Sequence, residues 1–369
     1  MIVLAHLLND SSGSPRVLMA TVSALKLHKQ PAKLYVGSHG DGLLSGCGLH
    51  ITRYWYRRST YRLLTFFTYL MSQVLLLLAL LRDRTIDCDA TVYVNTLLPF
   101  GAAIYGRLTG RRVVYHIHEI SVSPRPLRCF LLAVARWTSS MNIYVSQAHL
   151  VALPINGVAS TVVYNSLDPE FVRNANRSTY CHRRRNFFNV LMVAALRDYK
   201  GIPEFLALAQ LLLNEADVRF VLLTNDNQEF IDKYFSKMAI PENLVVHQCT
   251  SDTTPFYSDA SLVMNLSRVD ECVETFGMTI LEAMAFGIPV IVPPVGGPAE
   301  LIQSGVQGYL VDSTRCVELG SLVLHLAGSG ELCERISVAC RKRAQEFSFE
   351  SYKNSIAQML ALPAHFDNV

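Results

Sequence analysis

Short apolar runs alternate with helix-period stretches along the whole chain. IVLAHLL, AKLYVG, ATVYVN, RVVYHIH, NIYVS and STVVYN fall in the first 170 residues, and NVLMVAAL, VRFVLLT, LVVHQC, ASLVMNLS and PVIVPP in the remainder. Unbroken apolarity over such lengths suits strands covered on both faces, as in parallel sheets. Strands alternating with helices predict an α/β chain of two doubly wound, Rossmann-like domains in series. Residues 173–186, RNANRSTYCHRRRN, are polar and basic without an apolar period. They read as a linker, with one domain over 1–172 and a second over 187–346.

Two apolar segments need separate treatment. MIVLAHLLND has no basic flank and reads as a first buried strand, not a signal peptide. LLTFFTYLMSQVLLLLALL, residues 63–81, has no charge over 19 residues. By length it could cross a bilayer. A core helix of the first sheet requires the same all-round apolarity, and this is the reading adopted. The preceding ITRYWYRRSTYR, residues 51–62, interleaves aromatics with arginines, as a solvated basic loop or a headgroup interface does. Residues 51–81 therefore suggest a segment that lies on a membrane in preference to spanning it.

Half of the 369 residues are hydrophobic, enough for two cores. The net charge of +3 is unevenly divided: residues 1–170 hold 16 Lys/Arg against 8 Asp/Glu, and residues 171–369 hold 17 against 22. A basic first half suits a phosphate-bearing or membrane-borne partner. The nine cysteines include no C-x-x-C pair and read as buried thiols of a reducing, cytoplasmic compartment.

The richest chemistry lies in ETFGMTILEAMAFGIPVIVPPVGGPAE, residues 274–300. Thr275, Phe276, Gly277 and Met278 form a loop ahead of a helix expected over 279–286. Unpaired amides at its start, around Met278 and Thr279, can hold phosphate or sugar oxygens. Glu274 in the loop and Glu282 in the helix can grip different hydroxyls of one elongated ligand. In ALRDYKG, Arg197 and Lys200 follow the strand NVLMVA, where open α/β sheets bind ligands, and two cations there can neutralise a diphosphate. In YHIHEI, His116 and His118 share one face of a strand end. No third residue shows zinc-like spacing, so no metal is expected. NDSSGSPRVL, with Gly13, is either an oxyanion or acceptor loop or an ordinary capped helix start. The D-x-D of Asp87 to Asp89 reads as a turn, and the Asn176 and Asn265 sequons carry no meaning in a cytoplasmic chain.

The 274–300 string resembles the donor-site signature of family four of the retaining glycosyltransferases, E-x-F-G-x-x-x-x-E-A-M-A-x-G-x-P-V, followed by Gly296-Gly297 and Glu300. Arg197-x-x-Lys200-Gly201 resembles that family's diphosphate clamp. The resemblance is dense over 190–312 and thin but collinear over 1–170. It departs from the family at Gly13-Ser14, where two adjacent glycines are usual. It implies a GT-B fold, two doubly wound domains facing a cleft, with FSFESY in a C-terminal helix, within 347–369, that crosses back to the first domain. By the same resemblance Glu274 contacts the donor sugar, Glu282 the ribose, and His118 positions sugar or acceptor. Arg197 and Lys200 stabilise the leaving diphosphate. Thr224-Asn225 and Gln248-Cys249 are expected near the base.

The activity implied is transfer of a hexose, with retention and without metal or other cofactor, from a UDP- or GDP-linked sugar. The acceptor implied is a saccharide, lipid-linked in view of the basic first half, in assembly of a bacterial surface polysaccharide on the cytoplasmic side of a membrane. No nucleic-acid partner is expected. A sugar-nucleotide epimerase on the same fold, or a donor-binding scaffold without turnover, remains open.

Overall fold

The computed structural model describes residues 1–10, 12–120, 122–248 and 252–362. The chain divides into two units, residues 1–166 with 349–369, and residues 167–348. The first unit carries a seven-stranded sheet of β1 (Ile2–His6), β2 (Ala32–Gly37), β3 (His50–Tyr54), β4 (Thr91–Asn95), β5 (Val113–Ile117), β6 (Met141–Tyr144) and β7 (Ser160–Val162). All pairings are parallel and the order is β3-β2-β1-β4-β5-β6-β7. The second unit carries β8 (Phe188–Val193), β9 (Val218–Thr224), β10 (Leu244–Gln248), β11 (Leu262–Met264), β12 (Val290–Val292) and β13 (Gly308–Leu310). They are also parallel, in the order β10-β9-β8-β11-β12-β13. Each sheet reverses its strand order once, between β1 and β4 and between β8 and β11. A parallel α/β sheet opens a crevice at the carboxyl ends of such a pair.

The central strands are buried on both faces. All five residues of β1, β4 and β5 are buried, which explains why their sequences are mainly apolar, with His6, Thr91, Asn95 and His116 as buried polar exceptions. β3 is different. It is an edge strand that buries only Tyr54, so its HITRY lacks an apolar signature and the sequence reading of 51–62 as a basic loop is corrected there.

Three further expectations are corrected. The proposed linker 173–186 is built into the second unit. Helix Pro169–Arg177 covers its start, capped by the Asp168 carboxylate on the Glu170 amide at 2.7 Å. Phe171 packs edge-on to Tyr257 and Phe286, and Arg341 donates to the Ala175 and Ser178 carbonyls. The helix Arg62–Arg82 is not a core helix. It buries a single stripe of Tyr69, Ser72, Gln73, Leu76 and Leu80. Its outer face leaves Leu63 76% and Phe67 64% exposed, with Met71, Val74 and Leu81 also exposed. Cys47, Cys333 and Cys340 are buried, but Cys88 and Cys129 are exposed, against the expectation of buried thiols throughout.

Helix Phe349–Leu360 returns to the first unit and packs on helix Gly13–Leu27. There the hydroxyls of Thr21 and Tyr352 lie 2.7 Å apart beside Tyr93, and Arg112 donates to the Met359 carbonyl at 2.8 Å. Residues 363–369 of the expected C-terminal helix lie outside the described residues.

Candidate active site

The switch point of the second sheet gathers residues distant in sequence. A short 3₁₀ turn, Asp198–Lys200, follows β8 and ends at Gly201, whose φ is 83°. A Cβ on Gly201 would sit 2.0 Å from the Leu266 carbonyl oxygen, so only glycine lets this turn press against the segment after β11. That approach brings Lys200 to Glu274, 74 residues later, as an ion pair. Glu274 Oε2 also accepts from Asn265 Nδ2 at 2.9 Å, and Oε1 accepts from Ser267 Oγ at 3.2 Å. The Gly296-Gly297 loop closes over this segment. The Gly297 amide donates to the Glu274 carbonyl at 2.9 Å, and a Cβ on Gly297 would meet Phe276 Cα at 2.3 Å.

The pair stays ionised. Burial pushes the Glu274 carboxyl up, but the Lys200 charge and the three donated hydrogen bonds outweigh it and leave the group below its ordinary value. Burial likewise disfavours the Lys200 ammonium, and Glu274 reverses this and raises it. Beside the pair lies a cavity of about 190 Å³ whose lining includes Lys200, Asn265, Ser267, Glu274, Met278 and Thr279. Its floor is Met192 to Ala194 at the carboxyl end of β8. Helix Met278–Ala285 points its amino end into this cavity, with Gly277 as its cap at φ 99°. A cation, an anchored carboxylate and a helix start thus face one space. They can hold a polyhydroxylated ligand that carries an anionic group.

The other expected residues lie as follows. Phe276 is buried and packs against Phe347. Glu282 is 5% exposed and accepts from the Tyr257 hydroxyl at 2.6 Å, outside the cavity lining. Arg197 is turned to Asp226, 3.4 Å away, and stacks over the Phe230 ring. Asp226 also accepts from the Leu196 amide and the Thr224 hydroxyl, which fixes it under Arg197. Arg197 and Lys200 therefore have separate partners here. Thr224 acts on Asp226, and Cys249 lies outside the described residues. Asn265, Ser267 and Asp226 were missed by sequence reasoning. The only signal was their place just after strands β11 and β9.

In the first unit, a second polar group lines the switch between β1 and β4. Asn95 Nδ2 donates to the Ser14 carbonyl at 3.2 Å and lies 3.1 Å from His6 Nδ1. Its Oδ1 lies 2.9 Å from His118 Nε2. With the amide nitrogen committed to Ser14, Oδ1 accepts and His118 Nε2 donates, leaving His118 Nδ1 as an acceptor. Burial, then the neighbouring His116, His6 and His149, holds His118 well below its ordinary value, so it is neutral at pH 7. The Glu119 carboxylate accepts from the Leu97 and His118 amides, which shapes this strand end. Gly13 opens helix Gly13–Leu27, and among the described residues no atom lies within 4 Å of a Cβ built there. Among the described residues no group of three or more His, Cys, Asp or Glu is placed to hold a metal ion.

The family described as Glycosyl transferases group 1 matches residues 183–343, which include every residue of the Lys200–Glu274 cluster. A sucrose synthase of Melioribacter roseus is 32% identical over 24% of this chain and 12% of its own length. The N-acetyl-alpha-D-glucosaminyl L-malate synthase of Bacillus anthracis is 23% identical over 59% of this chain and 55% of its own. The chain thus spans about half, or less, of these curated relatives. In fold it resembles Anabaena HepE in complex with UDP-glucose, with a TM-score of 0.75 at 21% identity over 98% of this chain and 99% of that one. It also resembles a sucrose-phosphate synthase from Thermosynechococcus elongatus, with a TM-score of 0.78 at 15% identity over 98% of both chains. Two parallel α/β units of this kind have the GT-B fold of those structures, and residues 183–343 match the family of group 1 glycosyl transferases.

Proposed function

We propose that the chain moves a hexose from a nucleoside diphosphate sugar to a saccharide acceptor, with retention and without a metal. The observation that carries this reading is Glu274, held ionised by Lys200, Asn265 and Ser267 on the wall of the switch-point cavity. The bond from the anomeric carbon to the phosphate oxygen breaks, and a bond to the acceptor oxygen forms on the same face. The acceptor proton goes to the departing phosphate. Negative charge grows on the diphosphate as the bond breaks. Lys200 and the amides at the start of helix Met278–Ala285 stabilise it, with Arg197 once it leaves Asp226. Glu274 orients the sugar hydroxyls, and Glu282 serves the ribose. In the first unit neutral His118 offers Nδ1 to a hydroxyl of sugar or acceptor.

The HepE structures are complexes with UDP and glucose and with UDP-glucose, so UDP-glucose is the donor to try first. Calorimetry with UDP-, GDP- and ADP-sugars is expected to show one nucleotide class binding. Glu282→Gln, which keeps a partner for Tyr257, is expected to weaken it about tenfold. Binding by none of them would remove the donor-site reading. Product formed from the bound sugar nucleotide without acceptor would instead establish an epimerase, and binding without turnover a scaffold.

The acceptor is proposed to be lipid-linked, in surface polysaccharide assembly at the cytoplasmic face of a membrane. The exposed apolar face of helix Arg62–Arg82 supports this, with exposed Arg57, Arg58 and Arg62 at one end and Arg82 and Arg84 at the other. Such a helix suits an acidic bilayer surface. In flotation with phosphatidylcholine vesicles, adding phosphatidylglycerol is expected to bring the protein to the lipid layer. Phe67→Asp is expected to reduce that about tenfold, the loss from one large apolar side chain. Equal flotation of wild type and variant would exclude this face.

A further inference from the structure

The basic run His182 to Arg185, read from sequence as part of a linker, borders a second cavity in the second unit. Strand register places Asn189 opposite Arg219, Leu191 opposite Val221, and Val245 opposite Val221, all on one face of the sheet. Among the described residues the crossover from β10 to β11 carries one helix, the six-residue Thr254–Asp259, which packs against β8. A helix this short leaves the face of β9 and β10 partly bare, and Val245 is 51% exposed. The result is a cavity of about 640 Å³, floored by Leu191 and Val221 and walled by Phe187 and Phe256. This is the size range of small-molecule sites.

Its rim is cationic. Arg183, Arg184, Arg185 and Arg219 line it against one carboxylate, that of Asp259. Arg183 is spent on Asp217 and the Ala327 carbonyl. Arg184 donates Nη2 to the Thr179 carbonyl, while its buried Nε has no partner among the described residues. Arg219 lies over the Phe187 ring, and neither it nor the Arg185 guanidinium has an acceptor among the described residues. The backbone holds Arg185 at this rim at a cost. Arg184 and Phe187 exchange both backbone hydrogen bonds around a two-residue turn in which Arg185 and Asn186 have φ of 50° and 70°. Glycine or asparagine is the usual choice at such positions, not arginine. None of these side chains belongs to the Glu274 cavity.

We propose that this cavity is a second ligand site, which takes a phosphate ester with an apolar or aromatic body. The free guanidinium groups match phosphate oxygens, and the Leu191, Val221 and Phe256 surface matches the body. Calorimetric titration with n-octyl phosphate tests it, on wild type, on Arg185→Gly combined with Arg219→Gln, and on Lys200→Ala. Glycine suits the backbone of position 185, and both arginines are exposed, so thermal melting is expected to be unchanged. Octyl phosphate should bind wild type and Lys200→Ala alike, and the double variant about tenfold or more weakly. Inorganic phosphate should bind less well than octyl phosphate. Uridine monophosphate, run in parallel, separates the sources: preference for octyl phosphate indicates a lipid phosphate, and the reverse a nucleotide. Absence of binding, an unaffected double variant, or loss confined to Lys200→Ala would overturn the proposal.

Discussion

Lys200→Ala is expected to lower kcat/KM for sugar transfer by about 10²–10³-fold, the usual cost of removing one preorganised charge from a developing anion. Two effects combine. The leaving diphosphate loses its nearest cation. Glu274 also loses the partner that keeps it ionised, and Asn265 and Ser267 remain as neutral donors. Burial then dominates and pushes its carboxyl upward. The activity that remains should therefore fall away on the acid side at a higher pH than in wild type. That shift distinguishes loss of the pair from a general disturbance of the fold. Turnover within about threefold of wild type, an effect of well under 1 kcal/mol, would remove Lys200 from the mechanism.

The second large effect is a loss of stability in mild acid, centred on the first unit. Burial lowers His6 to about 4, only partly offset by the Asn95 carbonyl and other neighbours. Burial and the adjacent His149 lower His116 to about 3. Burial lowers His149 to about 4 against its hydrogen bond to the Glu119 carbonyl. In the unfolded chain each imidazole titrates near 6.5. The unfolded state therefore binds more protons below that value, and the stabilisation present above it is lost as pH falls toward 4. Between pH 7 and pH 5 this amounts to about 2 kcal/mol for each histidine. Glu119 opposes the trend, because burial raises its carboxyl despite four hydrogen bonds, so the folded protein takes up that proton early. The chain's two tryptophans, Trp55 and Trp137, both lie in the first unit and report on it directly. The urea midpoint followed by their fluorescence should fall steadily from pH 7 to pH 5. A flat midpoint over that range would show that the imidazoles are not held neutral by the fold.

The parallel sheets were legible because central strands buried on both faces leave mainly apolar runs. β3 was not, since an edge strand that buries one residue in five leaves no such run. Helix Arg62–Arg82 shows a limit of periodicity. An all-round apolar helix has the same pattern whether its outer face meets protein or not, and only the packing tells them apart. Residues 173–186 looked like a linker because their contribution is made by Phe171 before them and by arginine contacts to backbone, which leave no apolar period. Within the candidate site, Glu274 and Lys200 stood out through their motifs. Asn265 and Ser267 did not, although they form an Asn-x-Ser sequon. An asparagine and a serine after a strand are ordinary until Gly201 and Gly297 bring the backbone segments around Glu274 into contact.

The return of helix Phe349–Leu360 to the first sheet sets an order on synthesis. A ribosome releases residues 1–166 before the second unit, but the hydroxyl group of Tyr352 that sits between Thr21 and the Val17 carbonyl is made only after that unit. The second unit, contained in 167–348, has all its residues before that helix exists. The unit begun first is thus the one finished last. While the chain is being made, the surface of helix Gly13–Leu27 that Tyr352, Ile356 and Leu360 will cover stays open to solvent and to chaperones.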